Sequence, residues 1–184
     1  MKTTLIKKFY PFFDNAQGTT LVEIMVTVAL FTVLVGASLG LLMNGSDSYN
    51  INRNKMELQQ ELRKALDWTK DDLRQTGTSG LVNMNTDTTY TQVTFRTAVG
   101  AAAGGTTTWS ANTIQYILGG TGGVQLQRIS GGTTKIVSQN ITLLQFRRNS
   151  TAPNLVIVTM TASRNEGKGG TISLNYTMQV KMRN

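Results

Sequence analysis

The sequence predicts an α+β fold in which one long N-terminal helix, half membrane-spanning and half amphipathic, packs on an antiparallel β-sheet domain. Three observations predict it. From Ile24 to Met43 the chain runs twenty residues without a charge, about 30 Å as a helix, which matches the hydrocarbon core of a bilayer. From about Ser46 to Gln75 apolar residues recur at steps of three, four and seven, the pattern of a helix with one buried face. Past Gly80 the period drops to two and ends in Ile172, Leu174, Tyr176, Met178, Val180 and Met182, every second residue.

Residues 1–18 read as a processing segment rather than as part of the fold. Lys2, Lys7 and Lys8 precede the apolar run, so the positive-inside rule places this end in the cytoplasm and the bulk of the chain across the membrane. A secretory signal has its small-residue cleavage site after the apolar core. Here Ser38-Leu39-Gly40 fits that poorly, because Leu41, Leu42 and Met43 continue the run, and the small-residue junction stands before the core, at Gly18. Glu23 sits directly ahead of the run, in what would be lipid. A carboxylate there costs about a few kcal/mol and is either functional or tolerated near the interface.

Residues 19–45 form the membrane half of the helix, expected to end near Asn44-Gly45-Ser46-Asp47, residue types that favour turns and helix starts. Gly36 and Gly40 make a G-x-x-x-G pair, which either lets another helix approach closely or reflects ordinary small residues in a membrane helix. The globular part is 46–184, with an amphipathic helix over 46–76 and the sheet over 90–184. The stripe expected to be buried is Ile51, Leu58, Leu62, Ala65, Leu66, Thr69 and Leu73; Arg53, Arg63, Asp67, Asp71 and Arg74 face away. Asp71 and Asp72 read as a solvated helix end, and Gly77 as the residue that terminates the helix.

Expected strands hold Val93, Phe95 and Val99, then Ile114, Tyr116 and Leu118, then Val124 and Leu126. Ser130-Gly131-Gly132-Thr133 predicts a hairpin turn into Lys135–Val137. Ile141 to Arg147 and Leu155 to Thr161 follow, divided by Pro153, before the final alternating strand. Gly100 to Thr108 and Gly119 to Gly123 read as surface loops.

Composition narrows the chemistry. The 184 residues hold no Cys and no His, which removes disulfides, thiolates, and the commonest general base and metal ligand. There is no phosphate-binding loop and no G-x-S-x-G. The expectation is a protein with no catalytic residue, no metal and no cofactor.

The N-terminal arrangement resembles the prepilin leader of the type IV pilin family: a short basic peptide, a Gly before the cut, a Glu five residues into the mature chain, then a long apolar helix. Further along, Gln60-Glu61-Leu62-Arg63, Asp72-Leu73-Arg74-Gln75 with Gly77, Ile114-Gln115-Tyr116, Leu126-Gln127-Arg128, Leu143-Leu144-Gln145-Phe146 and the closing Lys181-Met182-Arg183-Asn184 resemble PilW-type minor pilins and J-type pseudopilins. Tip subunits of the K type lack the early Glu that this chain has as Glu23.

The resemblance implies a type IV pilin fold, cleavage between Gly18 and Thr19 by prepilin peptidase, and methylation of the new amino terminus. The family usually begins its mature chain with Phe; here Thr19 stands in that place. It also implies storage in the inner membrane and assembly, with an inner-membrane platform and other pilin or pseudopilin subunits, into an extracellular or periplasmic filament. In that family the acid matching Glu23 meets the terminal amine of a neighbouring subunit, and a proline commonly kinks the helix where Gly40 stands here.

Charge supports a second class of function. From residue 80 onward nine basic side chains face only Asp87 and Glu166. Such a surplus suits DNA phosphates, an acidic partner pilin or an anionic cell surface, with Arg147, Arg148, Arg164 and Lys168 as candidate contacts; scattered solvated bases have the same composition.

Overall fold

A computed structural model describes residues 19–102, 104–166 and 170–183. The leader, including Gly18, and Lys168 lie outside the described residues. The chain divides into two units between Tyr49 and Asn50, within a single helix, α1 (Leu21–Arg74).

α1 passes through Asn44-Gly45-Ser46-Asp47 without interruption, where the sequence predicted an end. One Gly costs a helix about 1 kcal/mol and Asn, Ser and Asp less, too little to stop it between strong helix-forming flanks. In the N-terminal unit the hydroxyls within the apolar run are satisfied internally. Thr27, Thr32 and Ser38 donate to the carbonyls of Glu23, Val28 and Leu34 at 2.7–2.8 Å, so none presents an unpaired donor to an apolar solvent. This helix is long and apolar enough to cross a membrane once.

Among the described residues the second unit carries nine strands: β1 (Leu81–Val82), β2 (Thr89–Tyr90), β3 (Val93–Ala101), β4 (Thr107–Gly119), β5 (Gln125–Ser130), β6 (Thr133–Ser138), β7 (Ile141–Arg148), β8 (Leu155–Glu166) and β9 (Gly170–Lys181). They form two antiparallel sheets rather than the single sheet expected, one ordered β1-β3-β4-β5-β6 and the other β2-β7-β8-β9. Leu58, Leu62, Ala65, Leu66 and Leu73 of α1 share one core with Phe95, Tyr116, Leu126, Val137, Leu144, Phe146 and Met160 from both sheets. A buried leucine stabilises by roughly 2 kcal/mol, so this stripe is the main bond between helix and sheets. Thr69 lies within it and donates to the Ala65 carbonyl at 2.8 Å.

Ile51, expected in the stripe, is 46% exposed; burial starts at Leu58. Val99 is also exposed, because β3 meets β4 with two register shifts between Arg96 and Gly100, and each shift moves later side chains to the other face. The predicted hairpin is present: Ser130 pairs with Thr133, and Gly131 and Gly132 have φ of 56° and 80°, as a type I′ turn demands.

Gly77 serves a different end from the one predicted. It is extended (φ −125°, ψ 179°), three residues past the helix, and bridges Arg183. A Cβ there would lie 2.9 Å from the Arg183 carbonyl oxygen and 3.0 Å from the Trp109 ring. Glycine is needed for close approach, not for a left-handed cap. The segment is stitched down by Thr76 Oγ1 to the Arg96 carbonyl (2.7 Å), Ala98 N to the Gln75 carbonyl (2.9 Å) and Arg183 N to the Thr76 carbonyl (2.8 Å).

Candidate functional site

The start of α1 is built by Thr20. Its hydroxyl and carbonyl both accept from the Glu23 amide, at 3.3 and 3.0 Å, which satisfies an orphan donor of the first turn. That fixes Glu23 in the first turn, where the helix dipole favours a negative charge. Its carboxylate is exposed and has no partner among the described residues. Thr19, four residues earlier, is also exposed. Behind Glu23 the apolar run is 0% buried within the chain, with Leu30, Phe31, Val33 and Leu34 between 62 and 70% exposed. Gly36 and Gly40 lie on this surface with open space where a Cβ would stand. The N-terminal half of α1 is therefore an apolar rod headed by an unpaired acid.

A second polar cluster lies at the other end of α1, and here the expectation of a solvated pair is corrected. Asp71 is exposed, but the Asp72 side chain is only 13% exposed. Its Oδ2 accepts from the Tyr116 hydroxyl at 2.7 Å and from Arg128 Nε at 2.6 Å. Tyr116 and Arg128 stand directly opposite each other on β4 and β5, and the Tyr116 ring stacks on Phe95 with centroids 6.3 Å apart. The cluster pins the helix end to the five-stranded sheet. The signal for it was present: period two puts Arg128 on the core face with Leu126, and an arginine aimed into a core requires an acid.

Burial and then the Asp72 carboxylate drive the Tyr116 phenol far above its usual range, while the hydrogen bond to Asp72 raises Arg128. A raised phenol pKa means that the folded state holds its proton more tightly than the unfolded state. Its contribution to stability is whole below about pH 10 and declines as pH climbs beyond the unfolded phenol's range. Ultraviolet titration at alkaline pH should find one tyrosine silent until the domain unfolds. Tyr116→Phe should therefore leave the amplitude of the native titration unchanged.

The basic residues singled out from the sequence are not brought together. Arg147 and Arg148 end β7, level with Ile157 and Val156 of β8. Arg164 lies seven residues further along β8 than Ile157, roughly 23 Å away. Arg147 sits 3.7 Å from Asp87, and Arg164 bonds Glu57 at 2.9 Å. Hydrogen bonding from Ser150, more than the charge of Arg147, lowers the Asp87 pKa; hydrogen bonds from Arg164 and then Arg53 lower that of Glu57. Lys135 lies over the Trp68 ring, 4.0 Å from its centroid. Among the described residues these cations are dispersed rather than forming one anion-binding face: Arg147, Arg164 and Lys135 have partners of their own, while Arg148 Nε is buried without one. No group of three or more acidic side chains placed to hold a metal occurs among them.

Comparisons with protein families, with curated proteins and with solved structures return no match to this chain.

Proposed function

We propose that this chain is a structural subunit of the type IV pilin class, a minor pilin or pseudopilin. It is cut after Gly18 and then assembles into, or primes, a type IV pilus or a type II secretion pseudopilus. The observation that carries this reading is the apolar half of α1, unburied along its length and headed by Glu23 with no partner. Such a helix is complete only in lipid or among other apolar helices, and its acid only beside a cation.

In this reading cleavage exposes the Thr19 amine, positive near neutral pH. Within one chain that amine stands two residues ahead of α1 and four ahead of Glu23. A neighbouring copy displaced axially brings its own amine to this Glu23, so each charge offsets the desolvation of the other. Gly36 and Gly40 give the rod a flat patch for close packing. Polymerisation exchanges lipid for helix contacts while α1 from Leu58 onward carries the sheets. Prepilin peptidase, an assembly platform and other subunits are the partners; the reading assigns the chain no catalytic role.

Amino-terminal sequencing of the protein purified from membranes tests this. Thr19 as the first residue is expected. An intact Met1 would overturn the proposal.

A further inference from the structure

The two sheets have four edges, and three are blunted. β1 and β2 are two residues long each, and β6 carries Lys135 and meets β5 with a register shift. β9 is neither short nor shifted in register, and its one charge, Lys181, is its last residue. It is twelve residues long, pairs with β8 in unbroken register, contains no proline, and has no charge between Thr171 and Val180. No backbone hydrogen bond from outside the sheet reaches Gly170–Lys181 among the described residues. Exposed edges of this kind are rare unless something pairs with them.

A second feature adjoins this edge. A groove of about 500 Å³ runs between Leu62, Arg63 and Leu66 of α1 and Leu174, Tyr176 and Met178 of β9. The equivalent row on β8, Val156, Val158, Met160 and Ala162, is 0% exposed, whereas Tyr176 is 56% exposed. One more strand would cover β9 as β9 covers β8, its alternate side chains filling the groove.

A second β9 does not fit. β9 runs alongside α1 in the same direction, from Ile172, opposite the Arg164 that bonds Glu57, to Arg183, which bonds Thr76. Antiparallel pairing of two β9 strands would bring to the groove a strand with no carboxylate for Arg63, because Gly170–Lys181 contains no Asp or Glu. Parallel pairing about a two-fold would turn the polar row Ser173, Asn175, Thr177 and Gln179 of one copy into the other's apolar groove. The groove lining carries two cations, Arg63 and Lys70, against Asp67; Lys70 holds Asp67 at 3.2 Å, which leaves Arg63 without an ion-pair partner among the described residues.

We propose that the free edge of β9 takes up an extended segment of a different protein as a further strand, apolar at alternate residues and bearing carboxylates. Backbone pairing supplies affinity, and the groove with Arg63 in its lining supplies selection.

The test uses the full-length chain in detergent micelles and a fluorescein-labelled twelve-residue peptide alternating valine with threonine and glutamate. Saturable binding in the micromolar range is expected from anisotropy, with slower amide exchange in β9. N-methylation of the peptide amides on one edge should weaken binding at least about tenfold, because it removes main-chain bonds and leaves the side chains intact. Tyr176→Lys, at an exposed position, should do the same, and replacing the peptide's glutamates by lysine should also weaken it. The N-methylated peptide tests the native protein should that variant unfold. Absence of saturable binding, or equal binding by the N-methylated, lysine-bearing or Tyr176→Lys pairings, would overturn the proposal. So would disulfide cross-linking of Asn175→Cys copies to one another through β9. None of these measurements depends on cleavage or filament incorporation.

Discussion

Glu23→Ala is expected to leave the chain cut after Gly18 and held in the membrane, yet to remove it from filaments. The cut lies outside the apolar run, and the substitution makes the helix more apolar, so storage in lipid is preserved or improved. Assembly is where the loss falls. A neighbour's Thr19 amine that enters an apolar core without Glu23 is an uncompensated buried charge. Losing one partner of such a pair costs about 3 kcal/mol, roughly a hundredfold in affinity for the growing end. The measurement compares the sheared-filament fraction with the membrane fraction by immunoblot. Glu23→Asp, which keeps the charge on a shorter arm, should recover part of the incorporation, and Glu23→Gln little. Equal incorporation of Glu23→Ala and the unaltered chain would sink the assembly role, as would a block in cleavage alone.

Periodicity carried most of what could be read in advance. Twenty uncharged residues marked the extent of the apolar rod, and the steps from Ile51 to Leu73 marked the buried helix face from Leu58 onward, with Ile51 itself exposed. Gly131 and Gly132 announced the β5–β6 turn by their tolerance of positive φ. Alternation, however, states which face a residue occupies and not which strand lies beside it. Nothing in the run from Ile172 to Met182 distinguished an edge strand from a central one, and so its half-exposed row and the division into two sheets were illegible. Gly77 was ambiguous for a related reason. A glycine after a helix serves a left-handed cap or a close approach equally well, and only the Arg183 carbonyl and Trp109 ring decide between them. The basic surplus was countable, but the partners Asp87 and Glu57 came from distant stretches of chain. Asp72 was misread because it was judged with its neighbour Asp71, when the informative residue was Arg128, 56 positions away on a core-facing site.

Asp72→Ala is expected to destabilise the globular unit by about 3 kcal/mol, because it leaves Arg128 and the Tyr116 hydroxyl without their shared acceptor in a site that water barely reaches. Arg128 and Asp72 side chains are 21% and 13% exposed, so solvent screens the pair only in part. At about 3 °C per kcal/mol for a unit of this size, the midpoint should fall by about 10 °C. Both tryptophans, Trp68 and Trp109, lie in this unit, and their fluorescence follows its unfolding without interference from the apolar rod. The decisive comparison is Asp72→Leu with Arg128→Met and Tyr116→Phe together. Removing every polar member leaves nothing unsatisfied, so the triple variant should be more stable than Asp72→Ala alone. A triple variant that falls as far as the three single losses combined would mean that the cluster contributes attraction in its own right. A negligible shift in Asp72→Ala would mean that α1 is held by its leucine stripe without help from this anchor.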